Sequence, residues 1–397
     1  MKFNLSEKGL KISSSVTLEI TAKAKSMKAK GIDVISFGAG EPDFNTPENI
    51  RKEGVRAIEE GLTKYTPASG INELKEAVCK KFKRDNNLEY SIENIVISNG
   101  AKHSIYNALM AILNPEEEVI VGIPYWVSYP ELIKIAGGKP IFIHTKEEND
   151  FKFTVADLEK ARTNKTKAII LNSPSNPTGS IYYKEELEKI AKWAVDNNIF
   201  VISDEIYEKL IYDGEHVSIA SINDDIKDLT IVINGMSKAY AMPGWRIGYL
   251  AAHKEIANVI SNIQSHTTSN PCSISQYASV AGLTGDQNIV YEMKKEFEKR
   301  RNYMVEMINS IKGLSCKKPK GAFYIMVNIS QLKGTTIKGR NINSSLDFAK
   351  VLLEEGKVAV VPGIGFGDDN YIRLSYATSM ENIEKGLKRI KKIVEEN

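Results

Sequence analysis

The sequence predicts an α/β fold, a mainly parallel seven-stranded sheet sandwiched by helices, with a smaller α+β domain beside it. Three observations carry that expectation. Seven short β-branched runs alternate with amphipathic helical stretches between Ile95 and Ala251 at intervals of roughly 20–30 residues, the pattern of strand–helix–strand crossovers. At 397 residues the chain exceeds what one small core organises, so two domains are expected. Beyond about residue 283 the pattern changes to a charged helix and then mixed short strands and helices. The expected division is an N-terminal arm and part of the small domain over 1–45, a large domain over 46–282 and the C-terminal α+β domain over 283–397.

In chain order, a polar arm leads into a helix over Leu18 to Lys30, and Ile32 to Phe37 reads as a short strand entering Gly38-Ala39-Gly40-Glu41-Pro42-Asp43-Phe44. Thr46-Pro47-Glu48 reads as an N-cap, a first-turn proline and an acid opening a helix. The seven runs are Ile95–Ile97, Val119–Val121, Ile141–Ile143, Ala168–Leu171, Phe200–Ile202, Ile231–Ile233 and Ile247–Ala251. Asn234-Gly235 reads as a turn after the sixth. Then follow a helix over Tyr291–Ile311, a strand over Ala322–Val327, a polar surface loop over Lys333–Asn343, a helix near Ser345–Glu355, and the runs Val358–Val361 and Tyr371–Tyr376. Gly363-Ile364-Gly365-Phe366-Gly367 precedes a strand rather than a helix and so is no dinucleotide fingerprint.

Charge and composition narrow the function classes. The net charge is +3 with no dense basic block, which disfavours nucleic acid. No secretion signal and no run of eighteen apolar residues is present, so neither export nor a membrane is expected. Cys79, Cys272 and Cys316 are few and scattered, which suits a reducing cytoplasm, and the five histidines form no metal-ligand spacing. The expectation is a cytoplasmic, metal-free enzyme.

In a sheet of this kind ligands bind beyond the carboxyl ends of the strands, and polar residues of interest fall there. Ser98-Asn99-Gly100-Ala101-Lys102 opens a helix whose free N–H groups suit a phosphate. Tyr125-Trp126 follows the second run, where an aromatic can stack on a flat ring. Asn176 sits in NSPSNPTG, locked by Pro177, with its amide available to a ligand hydroxyl. Asp204, directly after a buried strand, can keep a ring nitrogen protonated, and Tyr207 lies within reach of the same ligand. Ser237-Lys238 follows the sixth run; burial lowers a lysine's pKa, and the neutral amine forms Schiff bases. Arg246 suits a phosphate, and Arg373, on the polar face of an alternating strand, suits a carboxylate as a bidentate fork. Each residue alone has a commoner structural use; the set together matches pyridoxal phosphate.

The motifs NSPSNPTG, SDEIY, NGMSKAYAMPGWRIGY and YIRLSYATS, in this order, resemble the fold-type I, class I aminotransferases; FGAGEPDF and KYTPASG narrow the likeness to the bacterial aspartate aminotransferase branch. The resemblance spans almost the whole chain. It implies pyridoxal 5′-phosphate bound in the large domain, with Lys238 as the Schiff-base lysine and Asp204 as the pyridinium partner. Tyr207 and Asn176 would meet the 3-oxygen, Trp126 the ring face, and Gly100, Ala101, Lys102, Ser237 and Arg246 the phosphate region. Tyr65 would reach the phosphate of the neighbouring subunit, making a homodimer with shared active sites. Gly40, Trp126, Asn176 and Arg373 match the substrate α-carboxylate contacts, Lys102 the distal-carboxylate lysine, and Ser15 and Thr17 the residues that close over it. Gly235 and Pro243 depart from the pattern, standing where relatives place a phosphate-binding serine and a threonine. The implied reaction is a ping-pong exchange between an L-amino acid, aspartate first, and a 2-oxo acid such as 2-oxoglutarate. Alternatives are an aromatic or prephenate aminotransferase, a β-lyase on the same scaffold, and a non-catalytic regulator, which the lack of a long DNA-binding extension disfavours.

Overall fold

Alternating side chains in the central strands point to opposite faces, and here both faces are covered. In the strand Thr166–Asn172, Ala168 and Ile170 enter one apolar cluster while Ile169 and Leu171 enter another. A strand buried on both faces needs apolar residues at every position, which explains the unbroken β-branched runs. The structure, a computed structural model, describes residues 3–10, 12–13 and 16–396.

All seven expected runs are strands of one sheet. In spatial order they are Ile95–Ser98, Gly248–Ala251, Thr230–Gly235, Phe200–Asp204, Thr166–Asn172, Glu118–Ile123 and Lys139–His144. Gly248–Ala251 pairs antiparallel with both its neighbours, and every other pairing is parallel. Helix Ala101–Ile112 packs with Lys254–Thr267, and Ser273–Thr284 packs with Glu48–Glu59 and Asn72–Asn86. A second, antiparallel sheet holds Tyr371–Ser375 between Val361–Pro362 and Tyr324–Asn328. The short strand Ile35–Ser36 pairs in parallel with Val358–Ala359, and Ile35 and Phe37 join the apolar cluster of the C-terminal segment. Residues near the start of the chain thereby become part of the C-terminal layer.

Three local expectations are corrected. Asn234 and Gly235 do not turn but continue the strand, paired with Tyr249 and Gly248. Only glycine fits there: a Cβ on Gly235 would stand 2.9 Å from the Gly248 Cα. Thr46 does not cap its helix; Pro47 occupies the N-cap, and the Thr46 hydroxyl instead donates to the Ala241 carbonyl and accepts from the Trp245 indole N–H. The stretch 333–343 is not plain loop, since Thr336–Ile337 and Arg340–Asn341 pair as a small hairpin.

Candidate active site

The parallel strands all end on one edge, and the chain continues from those ends into Gly100, Trp126, Asn176, Asp204 and Lys238. Arg246 reaches the same edge for the opposite reason, because the antiparallel strand Gly248–Ala251 begins there. A cavity of about 440 Å³ opens at this edge. It is lined by Ala101, Lys102, Trp126, Asn176, Asp204, Tyr207, Ser237, Lys238 and Arg246 from the large sheet, by Arg373 and Tyr324 from the small one, and by Gly38 to Glu41.

Lys238 stands at its floor. Its Nζ donates to the Gly40 carbonyl at 2.6 Å, and among the described residues no carboxylate bonds it directly. Desolvation dominates its charge state, lowering the amine to about 8; Glu41 and Asp204 oppose the shift, while Arg246 and Arg373 add to it. Asp204 is 4% exposed, and burial raises its carboxyl to about 6 even though two hydrogen bonds favour the anion. Those bonds come from the Tyr129 hydroxyl, 2.6 Å from Oδ2, and from the Ile206 N–H, 3.3 Å from Oδ1. The Tyr207 hydroxyl pairs with that of Tyr324 at 2.9 Å, and burial, with Tyr324 beside it, pushes the Tyr207 phenol well above its ordinary value.

At the phosphate-like corner the backbone crowds together. Gly100 has φ 88° and precedes the helix Ala101–Ile112. A Cβ on Gly100 would lie 2.3 Å from Arg246 Nη2, and one on Gly248 would lie 2.2 Å from the Ala101 nitrogen. Arg246 is fixed by the carbonyls of Pro243 and Asn99 at 2.8 and 3.1 Å, which leaves its charge uncompensated beside a helix N-terminus. Lys102 sits over the Trp126 ring at 5.0 Å, and burial, with Arg246 nearby, lowers its amine below the ordinary value.

Arg373 is 3% exposed and, among the described residues, hydrogen-bonds only neutral partners. Its Nη1 donates to Asn176 Oδ1 and its Nη2 to the Gly38 carbonyl, each at 3.1 Å, while its Nε has no partner. Its guanidinium lies over the rings of Tyr324 and Phe366 at 4.3 and 4.9 Å. A buried cation without an anion is costly unless a ligand supplies one, so this position is built for a carboxylate.

Eleven of the residues singled out in the sequence therefore line one cleft: Gly40, Ala101, Lys102, Trp126, Asn176, Asp204, Tyr207, Ser237, Lys238, Arg246 and Arg373. Gly100 lies directly behind it against Arg246. Tyr65 is 92% exposed and away from the cleft. Ser15 lies outside the described residues, as does the side chain of Thr17. Gly235 lines no part of the cleft, whereas Pro243 does. Sequence reasoning missed Tyr129 and Tyr324, which orient Asp204 and Tyr207. Tyr129 opens the helix three residues after Trp126, its N–H donating to the Trp126 carbonyl, and this closeness in sequence was a usable signal; Tyr324 sits in an ordinary apolar strand and offered none. The histidines show no ligand spacing in sequence, yet the fold gathers Glu205, Glu208 and His216 so that their ligand atoms lie within 4.8 Å of one another. Lys81 already sits in that cluster, ion-paired with Glu208.

A desolvated lysine, a buried acid and an anion-binding helix mouth on this sheet define a pyridoxal 5′-phosphate enzyme of fold type I. The chain belongs to the family described as aminotransferase class I and II, which matches residues 32–390. It is 50% identical over 395 residues to an aspartate aminotransferase of Bacillus sp. (strain YM-2), covering 99% of this chain and 100% of that one. Among solved structures, the aspartate aminotransferase from Rhizobium meliloti superposes with a TM-score of 0.95 at 40% identity, over 99% of each chain. The aspartate aminotransferase from Thermus thermophilus with maleate gives 0.93 at 38% identity, over 99% of this chain and 100% of that one. The family's cofactor fits the cleft on its own terms. The Gly100 and Gly248 positions leave no room for a Cβ beside Arg246 and the Ala101 N–H, and Asp204 is buried with Oδ2 held by the Tyr129 hydroxyl and Oδ1 by the longer bond from the Ile206 N–H.

Proposed function

We propose that this enzyme transfers the amino group of L-aspartate to 2-oxoglutarate, working as a homodimer in the cytoplasm. The observation that carries the substrate class is the pair of cations lining one cleft, Arg373 and Lys102, neither of which bonds a carboxylate among the described residues. An α-carboxylate on Arg373 and a distal carboxylate on Lys102 would neutralise both. The relative from Thermus thermophilus, named with maleate, a dicarboxylate, supports that reading.

Bound in the cleft, the cofactor supplies an aldehyde for amines and a ring that accepts the electron pair left at Cα. In our reading Gly100, Ala101, Ser237 and Arg246 hold its phosphate, Trp126 covers the ring, and Tyr207 and Asn176 hold the 3-oxygen. Asp204 keeps the ring nitrogen protonated, with Tyr129 fixing its second oxygen. Lys238 Nζ would hold the cofactor when no substrate is bound and, once displaced by the substrate amine, would take the proton from the substrate Cα onto its own nitrogen. An amine at about 8 is partly neutral near pH 7.5, as a general base requires. Arg373, Asn176, Trp126 and Gly40 would orient the α-carboxylate, and the resemblance gives Ser15 and Thr17 the role of closing over the distal end. Tyr65, exposed on the single chain, would serve the phosphate of the partner subunit. The large domain over 46–282 would hold the cofactor, with 1–45 and 283–397 as the smaller moving part.

The test is a rapid-mixing screen of amino acids that follows cofactor absorbance in the wild type and in Lys102→Ala. Aspartate and glutamate should react fastest, and the variant should lose about tenfold or more on them while alanine and phenylalanine change little. An equal loss on all four removes Lys102 from specificity. Preference for aromatic substrates or prephenate, or pyruvate and ammonia released without an oxo acid, would replace this reading.

A further inference from the structure

Behind the phosphate corner, outside the cleft lining, two glutamines have no exposed surface at all: Gln264 in helix Lys254–Thr267 and Gln276 in helix Ser273–Thr284. Gln264 uses its full hydrogen-bonding capacity. Its Nε2 donates to the carbonyls of Ala68 and Ile97 at 2.6 and 2.7 Å, and its Oε1 accepts from Ser98 Oγ and Asn107 Nδ2 at 2.9 and 3.0 Å. Gln276 accepts from the Ile71 N–H at 2.8 Å and donates to Thr66 Oγ1 and the Pro271 carbonyl at 3.1 and 2.8 Å. The segment they grip starts immediately after Tyr65. It also runs along the edge strand, where the Ile97 N–H donates to the Ser69 carbonyl at 3.0 Å and Gly70, at φ 99°, leaves no space for a Cβ against Ile97.

An apolar side chain would fill either position without the cost of burying an amide, so these two amides are best explained by the backbone they hold in place. Gln264 bonds both sides of one junction: Ile97 and Ser98, which lead into the turn at Gly100, and Ala68, three residues after Tyr65. We propose that Gln264 and Gln276 are positioning residues: Gln264 locks the chain's own phosphate turn to the segment presenting Tyr65, and Gln276 fixes that segment against Pro271, so that the cradle and the phenol offered to the partner subunit are set as one rigid unit. This rests on the assignment of Tyr65 and the Gly100 turn to the cofactor phosphate.

The experiment compares binding of pyridoxal 5′-phosphate and of pyridoxal, which lacks the phosphate, to apoprotein whose fold is checked by circular dichroism. Gln264→Met should weaken pyridoxal phosphate by about tenfold or more and leave pyridoxal within about twofold. Gln276→Met should weaken it about as much as Tyr65→Phe, and Gln276→Met combined with Tyr65→Phe should be no weaker than either alone, as expected of residues acting through one contact. Equal loss for both ligands marks a merely structural role and overturns the proposal, as does an additive double variant. Should Gln264→Met fail to fold, the Gln276 cycle decides. Wild-type protein that binds neither compound refutes the cofactor reading instead, and a Tyr65→Phe indistinguishable from wild type removes Tyr65 from the unit.

Discussion

Two groups of buried charges lie on either side of one residue boundary, Asp204 facing the cleft and Glu205 facing away, and they are built on opposite principles. Behind the sheet, Glu205 accepts from the hydroxyls of Ser203 and Ser218 and meets His216 Nε2 at 2.9 Å. Glu208 pairs with Lys81, and Asn86 bridges the two, accepting from Lys81 at 2.7 Å and donating to Glu208 at 2.8 Å. Burial pushes the Glu208 carboxyl up, but Lys81, His216 and Lys209 together bring it below its ordinary value. In the cleft, by contrast, Lys238 bonds a carbonyl, Arg373 bonds an amide and a carbonyl and keeps an orphaned Nε, and Asp204 is held mainly by a phenol. The first group pairs its acids with Lys81 and the His216 Nε2 within the protein, although His216 Nδ1 has no partner among the described residues; the cations of the second meet a carboxylate only when something binds. Desolvation decides in the cleft and ion pairing decides behind it, where Lys81, Glu205 and Glu208 are all buried.

The contrast can be broken most forcefully at Lys238. Lys238→Ala should lower transamination by more than about 10³-fold, because it removes the base itself. The unfolding free energy of the apoprotein should not fall and should rise near pH 7, since the variant removes an amine that burial holds below its ordinary value and that has no ion-pair partner among the described residues to strand. Urea unfolding and steady-state rates on the same preparation check both. The reverse holds at Lys81, where Lys81→Met strands Glu208 and should destabilise by about 3–5 kcal/mol while leaving the substrate profile unchanged. Adding Glu208→Leu should recover most of that loss; a double variant as unstable as the single would deny the network its self-sufficiency.

A smaller effect sharpens the comparison through pH. Asp204 is raised from 3.8 to about 6, so between these values the folded apoprotein binds more protons than the unfolded chain, and stability falls as pH rises through that window. Lys238 is lowered from 10.5 to about 8, so above pH 8 the unfolded chain binds more protons, and stability rises towards pH 10.5. Relative to Asp204→Asn, the wild type should lose about 2 kcal/mol between pH 4 and pH 6 in urea titrations without cofactor. A flat difference would mean that the acid is not desolvated.

Much of this was legible in the chain. The seven runs were readable because a strand covered on both faces must be apolar throughout, and the cleft residues because they directly follow those runs. What escaped was whatever depends on a partner distant in sequence. Asn234-Gly235 has the local chemistry of a turn, but Tyr249 and Gly248 draw it into the sheet. Thr46 has the chemistry of a cap, but its hydroxyl is engaged by Ala241 and Trp245. Tyr324 reads as core until the fold sets its hydroxyl on Tyr207 and its ring under Arg373. Glu205, Glu208 and His216 have no recognisable spacing, because Lys81, their counter-charge, comes from a helix more than a hundred residues earlier.

The lone reversed strand has a consequence for how this architecture can vary. Since Gly248–Ala251 runs against its neighbours, Lys238 and Arg246 hang from the two ends of a single connector whose anchor points, Gly235 and Gly248, face each other in register. The spacing between amine and guanidinium is thus set by the contour length of that connector. Loops elsewhere on the molecule can grow or shrink at little cost, but adding or deleting one residue here would shift one of the two groups relative to the other, so lineages diverging from this chain should exchange side chains within the connector far more readily than they alter its length.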